Sequence, residues 1–225
     1  MRLALQTFGP YPGTAAMKST PQLDQWRNNF GKLYIERSPV DEECLRKATA
    51  VWAKLLDHVS GDPPGSILEV GANIGANLHA LRRLTHAELW AIEPNDTARR
   101  LLADSGVTAP HHILDGAAQE IPLEDGCVDL VFTAGVLIHI APDDLLAACK
   151  EIHRCARKHI ICMEYFADEP EEKAYCGQRG LLFKRDFGSF YLDNFRDLIP
   201  VDCGFNWRRL TGQDNSTWWI FAKRG

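Results

Sequence analysis

Long hydrophobic runs, an excess of positive charge and paired cysteine motifs are what this 225-residue chain lacks. No apolar run approaches the roughly twenty residues that a transmembrane helix needs, so the sequence predicts no membrane span. The opening Met1–Leu5 has too short an apolar core for a signal peptide, and we therefore expect a cytoplasmic protein. The net charge of −5 leaves no broad basic surface, which disfavours nucleic acid as a partner.

The seven cysteines are an odd number and contain no Cys-x-x-Cys pair. This spacing predicts free thiols in a reducing compartment and argues against a disulfide framework or a zinc site, so no metal is expected. A hydrophobic content of 45% over 225 residues is typical of one globular domain that buries its own core. The oligomeric state is left open by these properties.

A glycine-containing segment follows a strongly apolar run. Ile67–Val70 leads into Gly71 and Gly75, and Glu93 follows eighteen residues after Gly75, at the end of a second apolar run, Leu89–Ile92. A strand, a glycine loop, a helix and a strand that ends in a carboxylate together describe a β-α-β unit that holds a nucleoside.

The spacing of the loop indicates which nucleoside is bound. A dinucleotide site requires G-x-G-x-x-G, and here the middle glycine is absent and Glu69 stands at the strand end, where it would repel a pyrophosphate. A positively charged ligand is favoured, and S-adenosylmethionine (SAM) carries both a sulfonium and an ammonium group. Glu93 would accept hydrogen bonds from the ribose hydroxyls. The alternative is a tight β-α turn without a ligand.

Composition divides the chain into three regions. Residues 1–16 hold two prolines and two glycines and predict a flexible N-terminal extension, after which Met17 is a possible alternative start. Residues 17–60 predict an N-terminal helical cap, with helices over Gln22–Arg37, broken near Gly31, and Asp41–Ser60. Residues 61–225 are expected to form the SAM-binding catalytic domain.

Within that domain, short strands and helices alternate. The predicted strands are Ser66–Val70, Glu88–Ile92, His111–Leu114, Val128–Thr133, His159–Met163, Val201–Leu210 and Ser216–Lys223. The predicted helices are Ala76–Leu84, Asp96–Asp104, Pro142–Cys155 and Phe187–Leu198. This alternation predicts an α/β fold with a doubly wound, mostly parallel sheet. Residues 165–185 are polar and too long for an ordinary connection, so we expect a lid or a substrate wall there.

Further polar residues follow the later strands. Asp115-Gly116-Ala117 offers an acceptor and close backbone for an adenine ring, or forms an ordinary turn. Gly135 would let backbone pass beneath the cofactor, and His139 is a candidate general base or, alternatively, a hydrogen-bonded packing residue. Glu164 would orient an acceptor amine or take a proton, or else it is a strand-end acid facing water.

The residues around 165–185 are candidates for binding the substrate. Tyr165 lies just past the fifth strand, and Lys184 and Arg185, with Arg179, form a basic cluster able to hold a carboxylate or phosphate. The alternative for this cluster is a solvated charged face.

At this point the motifs resemble a known family. The motifs Glu69-x-Gly71-x-x-x-Gly75, Glu93-Pro94, Asp115-Gly116 and Gly135-x-x-x-His139 look like those of class I SAM-dependent methyltransferases over residues 66–223. More narrowly, Phe30-Gly31-x-x-Tyr34-Ile35-x-Arg37, Gly135–Asp143, Glu164-Tyr165 and Leu182–Phe187 resemble the pseudaminic acid biosynthesis-associated methylases.

The resemblance implies a seven-stranded sheet with an antiparallel last strand and SAM at the first loop. It also implies that Tyr34 and Arg37 lie near the methionyl end of the cofactor. The cofactor-binding residues expected from the loops and the resemblance together are Tyr34, Arg37, Glu69, Gly71, Asn73, Gly75, Asn77, Glu93, Pro94, Asp115, Gly116, Ala117 and Gly135.

The chain departs from the narrower family on the acceptor side. Tyr175-Cys176-Gly177-Gln178 stands where the relatives tend to carry Tyr-Arg-Gly-His, and Ala134 stands where a lysine is expected. These departures leave the cofactor inference intact and put the substrate of the family in doubt.

Three functions follow from the sequence. The first is methyl transfer to a small polar acceptor, such as a nucleotide sugar or an amino acid, in a biosynthetic pathway of secondary metabolism, with His139, Glu164 and Tyr175 positioning the acceptor. The second is cyclisation of SAM itself to azetidine-2-carboxylate and methylthioadenosine, with the sulfonium held by aromatic rings. The third is a non-catalytic SAM-binding module.

Overall fold

The computed structural model describes residues 19–37 and 40–224. The predicted extension, residues 1–16, and Met17 lie outside these described residues. Within them, no helix is long and apolar enough to cross a membrane. No group of three or more His, Cys, Asp or Glu side chains within this part of the chain is arranged to hold a metal ion.

Nine strands make two sheets. The strands are β1 (Ser66–Val70), β2 (Glu88–Ile92), β3 (Ile113–Leu114), β4 (Val128–Ala134), β5 (Ala156–Glu164), β6 (Glu171–Tyr175), β7 (Gln178–Lys184), β8 (Leu198–Asn206) and β9 (Ser216–Lys223). Seven strands pair in the order β3-β2-β1-β4-β5-β9-β8, and β6 pairs with β7 in a separate hairpin. The first five strands of that order are parallel, and β9 runs antiparallel to both of its neighbours. This confirms the predicted fold class.

Eight helices accompany the strands in the described residues. They are α1 (Pro21–Arg27), α2 (Asn29–Arg37), α3 (Glu42–Asp57), α4 (Ala76–Arg82), α5 (Asp96–Ser105), α6 (Pro142–Cys155), α7 (Phe187–Asn194) and α8 (Arg208–Thr211). Local signals set several of their ends. Pro142 begins α6 and two aspartates follow it in the first turn, where they complement the helix dipole. Asn95 caps α5 through Ala98 N–H, and Gly106, with φ +69°, ends it.

The sheet is buried on both faces, so three layers form. Successive strand residues point to opposite sides: Ile67 belongs to the core shared with α3, α4 and α5, and Leu68 to the core shared with α6 and α7. A strand that is buried on both faces is mostly apolar along its length. The sequences of β1 and β4 are accordingly nearly continuous apolar runs. This packing fixes the carboxyl ends of the parallel strands at one edge.

The predicted break in the first helix lies elsewhere. The helices part at Asn28, and α2 runs on through Gly31. A Cβ at Gly31 would overlap the Trp26 carbonyl oxygen and lie 2.6 Å from Asn95 Nδ2. The glycine therefore allows the α1–α2 pair to lie close against the start of α5, and it does not break the helix.

Other element boundaries also differ from the prediction. Pro110–His112 forms a 3₁₀ turn, which leaves β3 only two residues. The predicted lid, 165–185, is an ordered hairpin of β6 and β7, and the predicted final helix ends at Asn194. The strand predicted to reach Leu210 ends at Asn206, and a short helix follows, because Trp207 begins a set of i→i+3 and i→i+4 hydrogen bonds.

Candidate active site

A cavity of about 650 Å³ lies at the carboxyl edge of the parallel strands. Open α/β sheets bind ligands at this edge, where the order of strands reverses direction. The loops after β1, β2 and β4 form its floor, α1 and α2 cover it, and residues from β5, the hairpin and the loop before β9 complete its wall. Of the predicted site residues, thirteen line it: Tyr34, Arg37, Glu69, Gly71, Asn73, Asn77, Glu93, Pro94, Ala117, Gly135, His139, Tyr165 and Tyr175.

The loop after β1 turns in a left-handed conformation. Gly71, Asn73 and Gly75 have φ angles of +78°, +48° and +83°. A Cβ at Gly71 would lie 2.5 Å from Val136 Cγ2, so this position also needs glycine for space. Gly75 does not line the cavity, and a Cβ there would overlap Leu102 of α5, so glycine at this position lets the start of α4 lie close to α5.

Glu93 sits at the end of β2 and is 7% exposed. Its carboxylate accepts hydrogen bonds from the backbone N–H groups of Asn73 and Asn95, each at 2.7 Å. Burial raises the pKa of Glu93 to about 7, against the opposing effect of these two donors. The carboxylate thus holds the glycine loop and faces the cavity at the position expected for a ribose-binding acid.

A second buried acid lies at the end of β1. Glu69 Oε1 accepts from Asn77 Nδ2 at 2.7 Å, and Asn77 Oδ1 accepts from Trp52 Nε1 at 3.0 Å. The other oxygen, Oε2, is buried without a hydrogen-bond partner among the described residues. Burial raises the pKa of Glu69 to about 8. A buried carboxylate with one unsatisfied oxygen is suited to a cationic group of a ligand.

The α2 helix brings Tyr34 and Arg37 over the cavity. The Arg37 guanidinium carbon lies 5.8 Å from the Tyr34 ring centroid and 5.9 Å from that of Phe30. Its Nη1 donates to Cys176 Sγ at 3.2 Å. The α2 helix and the hairpin therefore meet at this side chain.

The loop after β3 differs from the expectation for adenine binding. Ala117 lines the cavity, but Asp115 and Gly116 do not. Asp115 Oδ1 instead accepts from Arg27 Nη2 at 3.1 Å and Arg99 Nη1 at 3.2 Å. The Asp115 carboxylate thus joins α1 to α5 through Oδ1, and its binding to the adenine amino group stays a prediction.

His139 lies in a 3₁₀ turn after β4 and is enclosed by aromatic rings. The ring centroids of Trp26 and Tyr175 are 4.7 Å and 5.0 Å from its own. His139 Nδ1 donates to the Leu181 carbonyl oxygen of β7, because a carbonyl can only accept. Burial lowers the pKa of His139 to about 4, so the ring is neutral and Nε2 carries a lone pair.

Glu164 does not line the cavity and is fully buried. Its Oε1 accepts from the backbone N–H groups of Val136 and Leu137, both at 3.1 Å, and Oε2 accepts from that of Ile138 at 3.3 Å. Burial raises the pKa of Glu164 to about 7. The structure therefore places the Glu164 carboxylate against the turn that carries His139, and a contact with an acceptor stays a prediction.

The predicted basic cluster also lies outside the cavity lining. Lys184 Nζ is 4.0 Å from Glu171 and 5.8 Å from the Tyr165 ring centroid, and Arg185 stacks over Phe190 at 4.2 Å. These cations face neighbouring side chains, so the structure does not bring Lys184 and Arg185 together as an anion clamp in the cavity. Their substrate-binding roles are therefore not supported by their placement.

Several lining residues were missed from the sequence: Trp26, Trp52, Met163, Gln213, Asp214 and Ser216. Trp26 and Trp52 follow the spacing of residues on the packed face of a helix, and that spacing does not distinguish a cavity wall from a core. Asp214 lies in the turn before β9, and one signal was available for it. Because an antiparallel last strand begins where the parallel strands end, its first residues reach the same edge.

The comparisons with known proteins agree on the fold. A model of the methyltransferase domain family matches residues 68–162. Dimethylglycine N-methyltransferase of Parasynechococcus marenigrum (strain WH8102) is 27% identical over 104 residues, which cover 44% of this chain and 37% of that protein. The chain thus matches little more than a third of the length of this curated relative.

Solved structures extend the likeness to almost the whole chain. The 1,6-didemethyltoxoflavin-N1-methyltransferase of Burkholderia thailandensis, with bound 1,6-didemethyltoxoflavin and S-adenosylhomocysteine, has a TM-score of 0.67 at 20% identity and covers 93% of each chain. The magnesium protoporphyrin IX methyltransferase of Synechocystis PCC 6803, with bound SAM, has a TM-score of 0.64 at 13% identity, covering 92% of this chain and 99% of that one.

Proposed function

We propose that this chain, which carries a methyltransferase domain over residues 68–162 and uses SAM as its cofactor, transfers a methyl group to a small-molecule acceptor. One observation carries the proposal. The buried Glu93 and the left-handed loop of Gly71 lie in the same cavity as a second group of polar residues, which includes Tyr165 just after β5 and Asp214 before β9. One cavity thus contains features for a nucleoside and for a second molecule.

In the proposed complex the cofactor binds along the loops after β1 and β2. Glu93 accepts from the ribose hydroxyls, and Ala117 and Pro94 line the adenine side. Glu69 faces the methionyl ammonium, since its Oε2 is buried and unpartnered. Arg37 binds the methionyl carboxylate. The division into an extension, a cap over residues 17–60 and a catalytic domain over 61–225 is part of the same proposal.

The cofactor supplies an electrophilic methyl group on a sulfonium, so the protein needs to align an acceptor and to exclude water. His139 Nδ1 donates to the Leu181 carbonyl oxygen, so Nε2 carries the lone pair of the neutral ring and its direction is fixed. It accepts a hydrogen bond from the acceptor and orients it. Trp26 and Tyr175 pack around this ring and keep water from it.

The narrower family resemblance remains part of the proposal. Tyr34 and Arg37, which belong to one of its motifs, line the cavity, and the hairpin that carries Tyr175 and Cys176 adjoins it. A small polar acceptor, as in that family, fits this setting. The non-catalytic alternative is disfavoured, because His139 and the tyrosines would have no ligand to position.

A SAM cyclase is the second candidate, and the three tyrosines favour it. Tyr34, Tyr165 and Tyr175 all line the cavity and offer ring faces for a curled sulfonium. The nearby Phe132 is fully buried against Trp52, so it offers no ring face to the cavity.

The purified protein incubated with SAM alone distinguishes the candidates. Detection of methylthioadenosine above the spontaneous background would favour cyclisation. Intact SAM, with S-adenosylhomocysteine binding measured by calorimetry, supports an acceptor-dependent methyltransferase, and S-adenosylhomocysteine formation with an acceptor panel would establish it. Absence of binding of either nucleoside contradicts both enzymatic proposals.

The affinity for SAM should rise with pH from 6 to 7.5. Burial raises the pKa of Glu69 to about 8 and of Glu93 to about 7, so both are largely protonated at pH 6. A cation near Glu69 favours its ionised form, and binding must then release a proton. The dissociation constant should fall by up to about tenfold per pH unit for each coupled group.

Calorimetry in two buffers of different ionisation enthalpy measures this proton release directly. Glu69→Gln should reduce the number of protons released on SAM binding at pH 6.5. An unchanged proton release in Glu69→Gln would contradict the assignment of Glu69 to the ammonium group.

A further inference from the structure

The order of the strands separates the cavity into two halves. Most of the residues predicted to bind the cofactor lie at or after the ends of β1, β2 and β3, with Gly135 after β4 and Tyr34 and Arg37 on α2. Tyr165 follows β5, and Asp214 precedes β9. Neighbouring strands are about 4.8 Å apart, so β9 lies about 14 Å along the edge from β1. The part of the cavity beside β5 and β9, which we term the acceptor half, is therefore beyond the glycine loop.

Phenol groups and one carboxylate dominate the acceptor half. Tyr165 Oη donates to Asp214 Oδ2 at 3.0 Å. Burial and then the Asp214 charge raise the pKa of Tyr165, and burial, followed by Tyr34, raises that of Tyr175 to about 12. These side chains stay protonated and present neutral ring faces and oxygens.

Cationic side chains are few among the lining residues that the structure describes. Arg37 is the one lysine or arginine among them, and it donates to Cys176 in the turn between β6 and β7. Lys184, Arg185 and Arg208 lie outside the lining. Of these, Lys184 Nζ is 5.8 Å from the Tyr165 ring centroid, and Arg208 Nη1 is 4.0 Å from Asp214 Oδ1. A diphosphate, as in a nucleotide sugar, would lack the paired donors that such anions require.

We infer, building on the methyl transfer proposed above, that the acceptor is an amine whose ammonium form binds between Asp214 and the ring faces of Tyr165 and Tyr175. The carboxylate supplies the opposite charge, and the tyrosine rings attract the cation with their negative faces. The acceptor is therefore methylated on nitrogen.

The reaction balances without a further reagent. The bound ammonium first loses a proton to solvent through Asp214, which frees the nitrogen lone pair. A nitrogen–carbon bond to the methyl group then forms while the carbon–sulfur bond breaks, and its electron pair stays on sulfur. The products are S-adenosylhomocysteine and the N-methylated ammonium, so the positive charge passes from sulfur to nitrogen.

Two probes of the same shape test the inference. Choline and 3,3-dimethylbutan-1-ol differ in the charge of one central atom, and each is titrated into protein saturated with S-adenosylhomocysteine, with binding followed by calorimetry. Choline should bind about tenfold more tightly. Equal affinities, or no binding of choline, overturn the inference.

Two variants with opposite expected effects accompany the titration. Asp214→Asn should reduce the preference for choline to about threefold or less, whereas Arg208→Gln should keep or increase it, because a cation is removed from beside Asp214. Both positions are exposed, so folding is not at risk. A loss of preference in both variants, or in neither, contradicts the role of Asp214.

The failure of this inference is distinguishable from that of the proposed function. If S-adenosylhomocysteine does not bind, the cofactor site itself is wrong. If it binds and choline is not preferred, the methyltransferase proposal stands with an acceptor of another class.

Discussion

Replacing Glu93 with alanine should weaken the binding of SAM by about 100-fold or more. The carboxylate is the group proposed to accept both ribose hydroxyls, and charge-assisted hydrogen bonds in a buried site are the stronger ones. The substitution also leaves the N–H groups of Asn73 and Asn95 without their partner, which loosens the loop beside the cofactor. Calorimetric titration with SAM measures the effect.

Glu88→Gln is the matched control, because Glu88 lies at the opposite end of β2 and is half exposed. It should bind SAM as the unmodified protein does. A Glu93→Ala variant that retains the original affinity, while its circular dichroism spectrum is unchanged, would refute the ribose assignment.

Glu164→Ala should destabilise the fold by about 3 to 5 kcal/mol. Three backbone N–H groups, of Val136, Leu137 and Ile138, lose their acceptor in a site where no water replaces it easily. Denaturant unfolding at pH 7.5 measures the free energy of unfolding. The turn that carries His139 should also exchange its amide hydrogens faster.

Glu164→Gln should cost less, about 1 to 2 kcal/mol, because the amide oxygen can still accept from Val136 and Leu137. Glu169→Gln, at an exposed position five residues on, should leave stability unchanged. If alanine and glutamine at position 164 have equal and small effects, the hydrogen bonds described here do not hold the turn.

Elements with strong local signals could be predicted from the sequence. The bounds of β1, β2 and α6 agree with the structure, since two apolar runs and a helix that begins at Pro142 are each defined by nearby residues. The glycine loop and Glu93 were also predicted to lie together, because their spacing along the chain describes a β-α-β unit.

Contacts between remote parts of the chain could not be predicted in this way. Asp115 meets Arg27 across 88 residues, and Glu164 meets three N–H groups whose positions depend on the end of β4. Neither contact leaves a periodic signal in the sequence. A position at a strand end predicts a ligand contact for both acids, and the sequence carries no sign of the contacts that each makes with other elements of the fold.

The comparisons identify the part of the chain that contains most of the proposed cofactor residues. The methyltransferase domain match covers residues 68–162, which include the proposed cofactor residues from Glu69 to Gly135. Tyr34, Tyr165 and Asp214, which face the remaining part of the cavity, lie outside it. The fold and the cofactor are thus recognisable by likeness, whereas the acceptor has to be inferred from the side chains of this chain.

The hairpin of β6 and β7 has a consequence for the descent of such proteins. Its two strands pair only with each other. It meets the site through the side chains of Tyr175 and Cys176, and through the backbone carbonyls of Gly180 and Leu181, which accept from Gln22 and His139. Main-chain atoms persist when side chains mutate, so the hairpin can diverge freely without shifting the register of the larger sheet. Lineages that share one ancestral cofactor site can in this way acquire new acceptors by changing the exposed side chains of a segment whose strands do not pair with the larger sheet.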